Sequence, residues 1–151
     1  MDRILKHIAT LGFIGYIPVA PGTFGSLAAL AAFMFLRPSI PLQVAILLLM
    51  IPLATISSHI AERVLNEKDS RHIIIDEFCG YFLSVLFIPF SAGYALAAFF
   101  LFRFFDILKP FPVGRMEKLK GGIGIVADDI MAAVYTNAIL QIWVHITKII
   151  E

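Results

Sequence analysis

No Asp, Glu, Lys or Arg occurs between Pro38 and Ala61, or between Phe78 and Phe102. Each run exceeds the roughly 20 residues a helix needs to cross a hydrocarbon core about 30 Å thick. A stretch that apolar must be surrounded by lipid or by other apolar helices, which leaves few folds open. Composition agrees: 60% of the residues are hydrophobic and the mean hydropathy is +0.89, whereas soluble domains are roughly 45–50% apolar. A membrane is the first candidate solvent, and a soluble bundle of buried Ala-rich helices is the competing reading. The 151 residues suit a single domain, residues 1–151. A net charge of only +1 argues against a nucleic-acid partner, which requires a dense basic face. The lone cysteine, Cys79, permits no internal disulfide and, between Phe78 and Gly80, reads as a packed thiol. Apolar character continues well past the first thirty residues, so no cleavable signal peptide is expected.

Taken in order, Ile4, Leu5, Ile8 and Leu11 fall on one face of a short interfacial helix. Gly12, Gly15, Pro18, Pro21 and Gly22 then interrupt regular structure, with Thr23 or Ser26 as a cap. Such a loop must pack on protein or line a wet cavity. Helices are expected over 24–36, with a row of small residues at Gly25, Ala28 or Ala29, and Ala32, and over 41–61. Pro89 to Gly93 divides the next apolar run into helices at about 76–88 and 92–107. The last runs from about Asp128 to Ile146, carrying Asp129, Ala133, Asn137 and Gln141 on one inward-facing row. The expected fold is all-α: a compact helical bundle and multi-span membrane protein with about five apolar helices behind the interfacial one.

Threading five helices across a bilayer places all the basic residues except Arg37 and Lys148 on the side of the N-terminus. The positive-inside rule makes that side cytoplasmic. The same threading gathers Thr23, Asp76, Glu77, Arg103, Asp106, Lys109, Lys120, Asp128 and Asp129 at one membrane face.

The stretch from Phe102 to Ile130 carries the chemistry, with carboxylates at both ends and cations between them. Asp76, Glu77, Asp106, Asp128 and Asp129 come from the ends of three helices and would repel one another unless a cation joined them. An all-oxygen set of that kind suits Mg²⁺. One or two ions could bridge a phosphate oxygen and activate a water, with Asp76, Asp106 and Asp129 as the catalytic carboxylates. Arg103, Lys109 and Lys120, with Thr23, are the candidate phosphate partners. Lys109 is fixed by the prolines that follow it, and Gly121, Gly122 and Gly124 offer backbone N–H groups before a helix. The plainer reading of each acid is a helix N-cap or first-turn residue. No Cys followed six residues later by Arg, no Asp-x-Asp-x-Thr and no Pro-Ser-Gly-His string occurs, so the other phosphatase chemistries fit poorly. A small transporter, with Asn137 and Gln141 lining a path, is the competing class. Transporters, however, place their charges near the midplane or on both faces.

The strings APGTFGSLAA, IIDEFCG, FRFFDILKPFP and KGGIGIVADDI, in that order between Gly12 and Ala133, resemble the phosphatidylglycerophosphatase A family. The resemblance implies an integral protein of the bacterial inner membrane with its site facing the cytoplasm. The implied reaction hydrolyses phosphatidylglycerol phosphate, a lipid phosphomonoester, to phosphatidylglycerol and inorganic phosphate.

Overall fold

A computed structural model describes residues 1–116 and 119–150 of the chain, so Lys118, counted above among the basic residues, lies outside the described residues. Among those described, the chain forms seven α-helices, one 3₁₀ turn and no strand. They are α1 (Asp2–Ala9), α2 (Pro21–Leu36), α3 (Ile40–Leu65), α4 (Ile75–Ser84), α5 (Ala92–Leu108), α6 (Val113–Met116) and α7 (Gly122–Ile150), with the 3₁₀ turn at Ile14–Tyr16.

The all-helical expectation holds, while the structure supports fewer than five spans by length and composition. Among the described residues, only α3 and α7 are long and apolar enough to cross a membrane. At 1.5 Å per residue, the 16-residue α2 reaches about 24 Å and the 10-residue α4 about 15 Å. The sequence reading overlooked where the breaks fall. α4 stops at Ser84, short of the expected Ile88, while α7 starts at Gly122, ahead of the expected Asp128.

Both differences have a packing cause. Asn137 on α7 brings its side-chain amide to the carbonyls of Leu83, Ser84 and Leu86 at 3.3, 3.1 and 2.8 Å, and Gln141 adds a bond to Leu86. The Ser84 and Leu86 carbonyls at the C-terminal end of α4 are thus satisfied by side chains. The polar row on α7 does face inward, where it caps a helix rather than lining a path. At the start of α7, a Cβ on Gly122 would run into the carbonyl oxygen of Thr55, so this glycine lets α7 lie directly on α3. Gly122 of the Gly-Gly-Ile-Gly string thus serves helix packing, and within that string only Gly121 takes a positive φ, +64°.

α4 is the hub, packed against α2, α3, α5 and α7. Tyr81, Phe82 and Phe102 are fully buried among Phe33, Ala98, Ala133 and Leu140, and the Tyr81 hydroxyl donates to the Ala95 carbonyl at 3.1 Å. Gly80 allows a close crossing, for a Cβ there would come within 2.5 Å of the Phe102 ring and 3.3 Å of the Asp129 carbonyl. A second cluster, containing Ala9, Ala54, Ala61, Ile75, Cys79 and Val126, joins α1 and α3 to α4 and α7. Cys79 is the packed thiol expected. Large apolar side chains also cover the outside: Phe35, Leu48, Leu49, Phe100 and Ile142 are all exposed. A surface of that kind suits a lipid environment.

Candidate active site

One end of the bundle encloses a cavity of about 300 Å³. Its wall is built from Ala20, Pro21 and Gly22 at the start of α2, Asp69 to Arg71 and Ile73 between α3 and α4, and Asp76 and Glu77 in the first turn of α4. Arg103, Asp106 and Lys109 from the end of α5, with Ile125 and Asp128 of α7, complete it. Helices α2, α4 and α7 therefore start here, while α3 and α5 end here. That alternation is the one the threading of the sequence requires. The positive ends of α2 and α4 both point at this cavity and favour negative charge, in the chain or in a ligand.

The crossing at Gly80 sets the carboxylates against one another. Asp76, Glu77 and Asp129 offer oxygen atoms that all lie within 4.8 Å of each other, and so do Asp106, Asp128 and Asp129. Asp129 belongs to both trios and is only 2% exposed, beside Asp76 at 8% and Asp128 at 6%. Oδ1 of Asp76, Oε2 of Glu77 and Oδ2 of Asp129 are buried without a hydrogen-bond partner. Buried carboxylate oxygens left open in this way are costly unless a cation completes them.

The protonation of the α4 pair reflects the same crowding. Burial pushes the Asp76 carboxyl well above the usual carboxylate range, and the neighbouring Glu77 charge adds to it. Burial likewise lifts Glu77 to about 7, against the opposing charge of Arg103.

Two cations are held inside the cluster. Arg103 pairs with Asp106 at 2.6 Å and reaches Glu77 at 3.8 Å. Lys109 pairs with Asp128 at 2.7 Å. Lys109 closes α5 in the left-handed conformation at φ +46°, its amide donating to the Phe105 carbonyl at 2.9 Å, and this turns its side chain towards α7. Gly22 completes the packing, because a Cβ there would overlap Oε1 of Glu77.

All five carboxylates singled out in the sequence thus meet in one place, and Arg103 and Lys109 meet them there. The remaining two candidates lie elsewhere. Lys120 is exposed and lines a separate apolar hollow with Thr55, Ile56, His59, Ile60, Gly122 and Ile123. Thr23 sits in the first turn of α2, its amide bonded to the Ala20 carbonyl, while Gly22 beside it forms the wall. Sequence reasoning passed over Ser70 and Arg71, which do line the cavity. The available signal was their place in the charged segment that leads directly into Asp76.

Comparison with known proteins gives this arrangement a context. The family model for phosphatidylglycerophosphatase A matches residues 7–144. A Haemophilus influenzae protein named phosphatidylglycerophosphatase A is 40% identical, over 91% of this chain and 89% of its own length. The Escherichia coli protein of that name is 34% identical, over 92% and 83% respectively. A Bacteroides thetaiotaomicron protein provisionally named a phosphatidylinositol-3-phosphatase is 38% identical, over 86% and 88%. No solved structure matches the chain significantly. With the family model spanning nearly the whole bundle and every element of the carboxylate cavity, the chain belongs to the phosphatidylglycerophosphatase A family.

Proposed function

We propose that this protein hydrolyses the phosphomonoester of phosphatidylglycerol phosphate, releasing phosphatidylglycerol and inorganic phosphate, with Mg²⁺ held by the carboxylate cluster. The observation that carries the reading is the pair of oxygen trios sharing Asp129, with open buried oxygens on Asp76, Glu77 and Asp129 beside a polar cavity. An all-oxygen donor set of this charge fits a hard divalent cation. Asp76, Glu77, Asp106, Asp128 and Asp129 would hold it, and Mg²⁺ supplies neutralisation of phosphate charge and a lowered pKa for a water.

The chain's own residues supply the rest. The cavity admits a phosphate group at the end where α2 and α4 present their N-termini. Arg103, already close to both Asp106 and Glu77, fixes the orientation of the acids and adds positive charge where a phosphate would sit. Overall, a water oxygen forms a bond to phosphorus, the bond from phosphorus to the glycerol oxygen breaks, and that oxygen leaves with a proton. Thr23 and Lys120, proposed from sequence as phosphate partners, have a weaker claim than Arg103 and Lys109, which share the cavity with the acids.

The membrane setting belongs to the same proposal. The bundle sits in the bacterial inner membrane with the cavity at the cytosolic headgroup level, as the distribution of basic residues supports. The provisional name of the Bacteroides relative points to a second lipid phosphatase chemistry with a common substrate plan. In both substrates a phosphomonoester sits on a polyol that is joined through a phosphodiester to diacylglycerol.

The direct test is phosphate release by purified protein from phosphatidylglycerol phosphate and from a soluble phosphomonoester, with Mg²⁺ and with chelator. Release from the lipid only when Mg²⁺ is present is expected. Undiminished release in chelator would remove the metal from the mechanism, and no release from the lipid under any condition would remove the function.

A further inference from the structure

Among the described residues of the cavity wall, Arg103 and Lys109 are each paired with an acid and Arg71 is not. Among the described residues, no carboxylate pairs with Arg71, and its side chain is exposed at the wall of the same cavity. An exposed arginine on a loose loop would mean little. The segment carrying Arg71 is instead pinned on both sides. Before it, the Asp69 amide donates to Oε1 of Glu62 at 2.9 Å and the Ser70 hydroxyl donates to Oε2 of Glu67 at 2.6 Å. After it, Nδ1 of His72 meets the Gly15 carbonyl at 2.7 Å, the Tyr16 ring stacks on His72 at 5.0 Å, and the Ile74 amide donates to the Ala9 carbonyl at 2.9 Å. Gly15 is required for that closure, since a Cβ there would run into the carbonyl of His72. Two otherwise unrelated segments, the turn after α1 and the loop after α3, are thus locked together, and the residue they hold in place at the cavity is Arg71.

We propose that Arg71 binds the phosphodiester of the lipid headgroup while the carboxylate cluster takes the monoester; this rests on the lipid-phosphatase reading above. The depth of the groups assigns the two phosphates. The open carboxylate oxygens are buried, whereas Arg71 is exposed to solvent. In an amphiphile whose chains stay in the bilayer, the terminal monoester travels inward and the diester stays nearer the mouth. A guanidinium presents two parallel N–H donors to the two non-bridging oxygens of a diester, and it stays charged at every working pH. Selection follows from this placement: a substrate with both phosphates gains a contact that a simple phosphomonoester does not.

The two products separate the two roles, because phosphatidylglycerol retains only the diester and inorganic phosphate corresponds only to the monoester. Inhibition of phosphatidylglycerol phosphate hydrolysis by each product is measured in mixed micelles for the wild type and for Arg71→Ala. The expected result is an inhibition constant for phosphatidylglycerol raised on the order of tenfold or more in the variant, with that for inorganic phosphate unchanged. A matching rise for inorganic phosphate would place Arg71 on the scissile group and overturn the proposal. So would unchanged inhibition by phosphatidylglycerol, which would leave Arg71 a solvated charge. Wild-type protein that hydrolyses no lipid phosphomonoester would instead remove the phosphatase reading itself, and the assignment of Arg71 with it.

Discussion

The Lys109 ammonium lies 2.7 Å from Oδ2 of Asp128, joining the last turn of α5 to the second turn of α7. Sequence position alone assigns Lys109 to phosphate and leaves the acids to the metal. The pairing couples the two roles, since a lysine that neutralises Asp128 competes with any cation for that carboxylate. Lys109→Ala is therefore expected to lower kcat while decreasing the Mg²⁺ concentration needed for half-maximal activity. Titration of Mg²⁺ at saturating substrate measures both, and an unchanged Mg²⁺ requirement would show that the two side chains act independently.

Asp129 stands in both oxygen trios, with one oxygen buried and unpaired. Asp129→Asn is expected to reduce activity by on the order of 10²-fold or more, as loss of a shared ligand should. The same change removes a buried charge among like charges, so in chelator the variant should melt at a higher temperature than the wild type. Asp76→Asn and Asp106→Asn should show comparable losses of activity. A stable variant with full activity would exclude Asp129 from the chemistry, and a lower melting temperature in chelator would refute the electrostatic account.

The α4 acids give a pH dependence with a definite sign. Glu77 is raised from 4.5 to about 7 by burial, and Asp76 is raised in the same sense. A group whose pKa is higher in the folded state binds its proton more tightly there. Its contribution to metal-free stability is therefore complete below the unfolded value and is lost as the pH rises through about 7. Mg²⁺ competes with those protons and should reverse the trend, so the rise in melting temperature that it produces should grow from about pH 5 to about pH 8. Melting curves in detergent with and without Mg²⁺ across that range test this. A Mg²⁺ effect independent of pH would place the ion away from Glu77 and Asp76.

The gathering of five acids was legible in the sequence because helix alternation is legible. Uncharged runs, Pro and Gly breaks and clustered charges fix which helix ends share a face, and Asp76, Asp106 and Asp129 follow. What was not legible depends on contacts across the fold. The end of α4 at Ser84 is set by an amide more than fifty positions away, at Asn137. The start of α7 depends on Gly122 fitting against Thr55, which no local pattern reveals. Lys120 looked equivalent to Lys109 along the chain, yet it lies just before α7 begins and lines a different hollow.

Asn137 also offers a test of stability separate from catalysis. Its amide meets three carbonyls at the end of α4; the Leu86 amide also serves Leu83 and Gln141 also serves Leu86, so Asn137→Leu would leave the Ser84 carbonyl open at a cost of about 1–3 kcal/mol. A lower melting temperature with an unchanged Mg²⁺ requirement is expected. Unaltered melting would show that water satisfies that carbonyl.

The capped end of α4 has a mechanical meaning as well. The short helix is fastened to α7 twice, at Gly80 beside the floor of the cavity and at Asn137 near its far tip. Between Gly80 and Ser84 the two helices act as a strut whose length is set by covalent geometry, about 6 Å at 1.5 Å per residue. Lipid of different thickness can tilt α3 or the outer half of α7 without stretching that strut. In the membrane setting proposed above, the spacing of Asp76 and Glu77 from Asp129 would thereby be insulated from the bilayer, and the cavity would keep its dimensions whether the surrounding solvent is a thick membrane, a thin one or a micelle.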